Sequence, residues 1–107
     1  MTKITFFKKN DLITGFEISG HTGKDEIGKD LLCCQISTIA QLAVVGLKEI
    51  AKVEEFCEIS DGFLKILVNF KNAQKNDIQF LFKTCFLSFQ SVIQGEKKFA
   101  KLEVKNV

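Results

Sequence analysis

The chain has 107 residues, 46% of them hydrophobic and 11 of them phenylalanine, which fits one small domain, residues 1–107, burying roughly two thirds of the surface its unfolded form exposes. A net charge of +2, with all 15 basic residues lysines, excludes a strong polyanion-binding field and any bidentate arginine grip on phosphate, so no nucleic-acid partner is expected. The N-terminus opens on an alternating run, and no apolar stretch is read as approaching ~18 residues, so neither signal peptide nor membrane span is expected and the location is taken as cytoplasmic.

Residues 2–7 and 12–19 are β-rich runs separated by the polar break Lys8-Lys9-Asn10-Asp11, which reads as a hairpin turn. In the second run Leu12, Thr14, Phe16 and Ile18 share the face suited to a core, and Ile13 falls on the other. From Gly20 to Gly28 the residues are small, polar and charged, which is loop chemistry. Asp30 then suits a helix N-cap, and Cys33, Ile36, Ala40, Ala43, Leu47 and Ile50 form a stripe widened by Ile39, Val44 and Ala51, predicting a helix over about 30–52. With no proline in the chain, nothing forces a break.

Residues 56–59 read as a short strand, Ser60-Asp61-Gly62 as a hairpin turn and 63–70 as the next strand. Asn76-Asp77 suits the cap of a second helix over about 77–95, with Ile78, Leu81, Phe82, Cys85, Phe89, Val92 and Ile93 at helical spacing, and Gly95 is a natural stop. Residues 99–104 alternate as a closing strand. The expected class is α+β, in the order ββα(β)βαβ, with two long helices on one face of a mainly antiparallel sheet of about four strands.

Residues 20–37 carry the chemistry. They hold the only histidine, three of the seven glycines and an adjacent pair of cysteines where the helical pattern starts. A thiol becomes a strong nucleophile near neutral pH when a base and a helix N-terminus stabilise its thiolate. Helical phasing turns Cys33 toward the second strand and His21, while Cys34 lies about 100° around the axis. Cys33 is therefore the candidate nucleophile, with the first-turn amides as candidate oxyanion donors.

His21 is the only imidazole, the one side chain whose ordinary pKa suits proton transfer near neutrality. Against these stand plainer readings: a small buried thiol and a surface-loop histidine. Asp30 has two open roles, N-cap or orienting group for His21 or substrate. Ser37, one turn beyond Cys33, is either a site hydroxyl or a plain surface serine.

Cys57 and Cys85 sit in apolar patterns and are expected in the core, while Cys34 is either half-buried or an exposed, oxidisable thiol. A cytosolic compartment keeps thiols reduced, and one histidine with no C-x-x-C leaves no metal-ligand spacing, so neither metal nor organic cofactor is expected.

The run Gly20, His21, Gly28, Asp30, Leu31, Leu32, Cys33, Ile36 and Ser37 resembles the signature of the ribosomal-processing cysteine protease family, Prp. Cys34 and Gln35 stand where that family usually has small, alanine-like residues. The resemblance extends, in length and element order, over nearly the whole chain. It implies a Cys33–His21 endopeptidase, with Gly20, Gly28 and Ser37 around the bound peptide and a glycine-containing loop that closes over it. The implied substrate is the N-terminal extension of a bacterial large-subunit ribosomal protein, number twenty-seven. It also implies a homodimer, for which the second helix, rich in Phe80, Phe82, Phe86 and Phe89, is the expected face. Two other classes stay open: a non-catalytic ribosome-associated binding module in which Cys33 is structural, and a thiol redox or acyl-transfer protein using Cys33 and Cys34.

Overall fold

A computed structural model describes residues 1–26, 30–53 and 56–107. The elements are β1 (Thr2–Lys9), β2 (Leu12–Ser19), α1 (Leu31–Val45) continued by a π-wound turn at Gly46–Ile50, β3 (Phe56–Ser60), β4 (Phe63–Leu67), α2 (Phe70–Ala73), α3 (Asn76–Ile93) and β5 (Ala100–Asn106). The class is α+β, as expected, but the sheet has five strands, in the order β3-β4-β2-β1-β5. All pairs are antiparallel except β1 with β5, which run parallel. Asn10 and Asp11, at φ 50° and 65°, turn β1 into β2; both residue types tolerate that left-handed geometry.

The core lies between one sheet face and α1 and α3. Phe6 and Phe16 stack with centroids 4.9 Å apart, Phe86 meets Phe6 edge-on at 5.1 Å, and Phe89 meets Phe16 at 5.6 Å. Phe82 is fully buried as well. Three of the four phenylalanines expected at a dimer face therefore belong to the aromatic core, and only Phe80 stands out of it, 75% exposed.

Simple alternation fails in β2. The register passes from Phe7 opposite Gly15 to Lys8 opposite Ile13, so Thr14 is the extra residue of a bulge, and everything before it changes face. Ile13, expected outside, is buried. Gln79 of α3 satisfies backbone beside the bulge and at the end of α2: its side chain accepts from the Ile13 N–H at 3.0 Å and donates to the carbonyls of Ile13 and Ala73, each at 2.7 Å.

α1 buries Leu32, Ile36, Ala40 and Ala43, with Leu47 in the following turn. Leu32 thus takes the fully buried place expected of Cys33, which is half-buried. Ile50, expected on the stripe, is exposed, because the π turn, closed by the Ala51 N–H on the Gly46 carbonyl, advances each residue by less than an α-helical step and drifts out of phase. Residues 31–50 are long and apolar enough to cross a membrane by length and composition, contrary to the expectation that no stretch comes near that; in the fold the segment lays its apolar stripe into the core.

Three smaller expectations are also corrected. β4 ends at Leu67, because the Asn69 side chain accepts from the Asn72 N–H and caps the short helix α2. Lys75, not Asn76 or Asp77, is the N-cap of α3. Cys57 is exposed, since β3 is an edge strand.

Candidate active site

His21 is placed by backbone. β2 ends at Ser19 and the chain turns at Gly20, whose φ is +85° and whose position leaves no room for a side chain: a Cβ there would lie 2.4 Å from the Met1 carbonyl oxygen. The Gly20 N–H donates to the Gly62 carbonyl at 2.8 Å, and its own carbonyl accepts from the Thr2 hydroxyl at 3.3 Å. The imidazole extends past the sheet end against the β3–β4 turn. Its Nε2 lies 3.7 Å from an Asp61 carboxylate oxygen, and a Cβ at Gly62 would come within 3.0 Å of it.

Cys33 stands in the first turn of α1, at the positive end of the helix dipole. Asp30 is the N-cap: one carboxylate oxygen accepts from the Cys33 N–H at 2.9 Å, and the other accepts from the Thr22 hydroxyl and, at 3.2 Å, from the Lys24 N–H. The Thr22 hydroxyl first, then the Cys33 N–H, hold its carboxyl below the ordinary carboxylate range. Its partners are a helix amide, a loop amide and the Thr22 hydroxyl, so Asp30 staples helix and loop together, while the carboxylate beside His21 is that of Asp61. Sequence reasoning missed Asp61, whose signal was the Asp-Gly turn.

The amides of Cys33 and Cys34 are both engaged by Asp30, the second through its carbonyl at 3.1 Å. The expected oxyanion role therefore does not fall to these two amides as they stand.

A cavity of about 460 Å³ brings together His21, Cys33, Ser37 and Gly20. Its walls are Ile36 and Ala40 of α1 and Ile59, Phe63 and Leu64 of the β3–β4 hairpin, with Gln41 at one side. Gly28 lies outside the described residues. Cys34 is exposed, away from these walls, and among the described residues no group of three His, Cys, Asp or Glu side chains is placed to hold a metal ion.

Over residues 1–101 the sequence matches the family described as cysteine protease Prp. The chain belongs to the Prp family. The shared fold agrees: SMU.848 from Streptococcus mutans superposes with a TM-score of 0.83 at 24% identity, covering 100% of this chain and 96% of that one. The essential ribosomal processing protease Prp from Staphylococcus aureus, in complex with a covalently linked product peptide, gives a TM-score of 0.83 at 19% identity over 98% of this chain and 100% of that one. The same S. aureus protease with a substrate peptide gives 0.79 at 18% identity, with the same coverage. No curated protein matches.

Proposed function

We propose that this Prp-family chain is a cysteine endopeptidase in which Cys33 is the nucleophile and His21 its acid–base partner, and that it removes the N-terminal extension of large-subunit ribosomal protein number twenty-seven in the bacterial cytoplasm. The observation that carries the reading is the shared cavity, which His21 enters from the sheet end and Cys33 from the first turn of a helix. The S. aureus relative, a ribosomal processing protease seen with substrate and product peptides, supports the substrate class.

In this mechanism His21 takes the Cys33 proton, and the sulfur attacks the scissile carbonyl carbon. The tetrahedral intermediate collapses with cleavage of the C–N bond, and His21 gives its proton to the leaving amine. Water, deprotonated by His21, then attacks the thioester; the C–S bond breaks, and the thiol is restored as the acid product leaves. Ser37 and Gly20 line the path of the bound peptide. Asp30 acts through the fold, by holding the nucleophile's helix against the histidine loop.

A homodimer fits this reading, with Leu42 and Val45 of α1 and Phe80 and Leu87 of α3 exposed on the helix layer and available to a second copy.

The test is to incubate the protein with an extension-bearing precursor of that ribosomal protein and read intact masses. One discrete N-terminal truncation is expected with wild type and with Cys34→Ser, and none with Cys33→Ser or His21→Ala. Loss of cleavage in Cys34→Ser equal to that in Cys33→Ser would overturn the assignment of the nucleophile, and no truncation by folded wild type would leave a binding module.

A further inference from the structure

The segment that carries His21 is held at both ends, and the second anchor is built from residues far away in the chain. At one end Gly20 is bonded to Gly62 and Thr2. At the other, the Lys24 ammonium pairs with the Glu96 carboxylate and lies 5.8 Å from the centre of the Phe99 ring. The lysine is thus clamped between an anion and an aromatic face, both of which favour a cation.

The receiving side is well fixed. The Glu96 N–H donates to the Ile93 carbonyl at 2.8 Å, and the Glu96 carbonyl accepts from the N–H groups of Phe99 and Ala100 at 2.9 and 3.0 Å. The Phe99 carbonyl accepts from the Thr2 N–H at 2.8 Å, which ties the turn to the same strand end that holds Gly20. Between the two anchors lie only His21, Thr22 and Gly23. Thr22 is buried and bonded to Asp30, and Gly23, at φ +67° with open space around it, offers no packing of its own.

We propose that Lys24 is a positioning residue: its clamp on Glu96 and Phe99 sets the span of the His21–Gly23 segment and so holds the imidazole toward the Cys33 thiol. This rests on the Cys33–His21 reading above. Removing the cation leaves the far end of the span held only through Asp30, by the Lys24 N–H at 3.2 Å and the Thr22 hydroxyl, and in the loosened segment the imidazole samples positions from which it supports the thiolate less. Because the clamp lies outside the peptide-binding walls, and Phe99 keeps its packing against the core without the lysine, its loss falls on kcat and on thiol reactivity, with little effect on KM or on the melting temperature.

The experiment follows alkylation of Cys33 by iodoacetamide across pH 5–9 in a Cys34→Ser/Cys57→Ser background, by mass spectrometry of the Cys33 peptide, beside kcat and KM on the precursor. Lys24→Met and Glu96→Gln are expected to slow alkylation at pH 7 and lower kcat by about 3- to 10-fold, the range open to a partly exposed ion pair assisted by a ring. Lys24→Arg, which keeps both contacts, is expected to stay within about twofold, and the exchange Lys24→Glu/Glu96→Lys to recover part of the loss. If His21→Ala slows alkylation while Lys24→Met reacts like the background protein, or if Lys24→Arg is as slow as Lys24→Met, the clamp is refuted and the dyad stands. If His21→Ala itself alkylates at the background rate, the dyad fails and the clamp with it.

Discussion

The carboxylate of Asp30 accepts the backbone N–H of Cys33 at 2.9 Å while its other oxygen takes the hydroxyl of Thr22, the residue next to His21. One side chain therefore caps the helix that carries Cys33 and joins it to the loop that carries His21. These bonds favour the ionised form, so the folded pKa lies below the ordinary 3.8. The stabilisation is present above that value and fades as pH falls through the folded one. Asn at this position keeps one capping oxygen but has no charge to lose. Asp30→Asn should melt about 2–6 °C below wild type at pH 7, with the gap closing in melts run progressively more acid. A gap constant from pH 7 down to pH 2 would show that the charge contributes nothing.

Gly62 combines φ +69° with a direction in which a Cβ would approach His21 Nε2 to 3.0 Å. Alanine there has to hold a left-handed conformation at a cost of roughly 1–2 kcal/mol and also push the imidazole aside. Gly62→Ala should remain folded but cut kcat/KM on the precursor by about tenfold or more, since small misplacements of a reacting group are costly. Activity equal to wild type in steady-state assays would mean that the imidazole has room to give way.

The buried Gln79 satisfies three backbone groups around the β2 bulge. Gln79→Leu retains the volume but leaves the Ile13 N–H and two carbonyls without it, for a loss of about 2–4 kcal/mol. Urea titration should show this as a lower midpoint. A change below about 0.5 kcal/mol would mean that water or a shift of the bulge replaces the amide.

Cys85 is 1% exposed, and burial pushes its thiol up from 9.0 to about 11. The folded state favours the neutral thiol, so its contribution is complete below pH 9 and is lost as pH rises through about 11. Stability should therefore fall between these values, and Cys85→Ala should fall less over the same interval. In the native protein at pH 8 iodoacetamide should modify the exposed Cys34 and Cys57 and leave Cys85 untouched until denaturant is added.

Local pattern was legible in this chain wherever one face is consistently apolar and the geometry regular. Spacing alone marks the helices around Ile36, Ala40 and Ala43 and around Ile78, Phe82 and Phe89, and residue type marks the turns at Asn10-Asp11 and Asp61-Gly62. The misreadings arise where regularity breaks. A bulge at Thr14 reverses Ile13, and a π turn carries Ile50 into solvent. An edge position exposes Cys57, although its neighbours look like core. The aromatic wealth of α3 looks like surplus in the sequence because the strand phenylalanines it packs against, Phe6 and Phe16, are contacts of long sequence separation.

The same limit applies to the site. His21, Cys33, Asp30 and Ser37 could be singled out because they are close in sequence and chemically distinctive. Asp61 and the pair Lys24–Glu96 depend on how the β3–β4 turn and the α3–β5 turn come back to the loop, which no periodicity reports.

The parallel pairing of β1 with β5 matches Thr2 with Ala100 through Lys8 with Asn106, so β1 is completed by a strand that is made much later. A nascent chain already carries His21 and Cys33 when fewer than half its residues are made, yet β1 is then an open edge and neither Glu96 nor Phe99 has been added. The framework around the histidine loop is finished only when translation reaches β5. A chain that stops short of β5 thus holds His21 and Cys33 without the partners of Lys24.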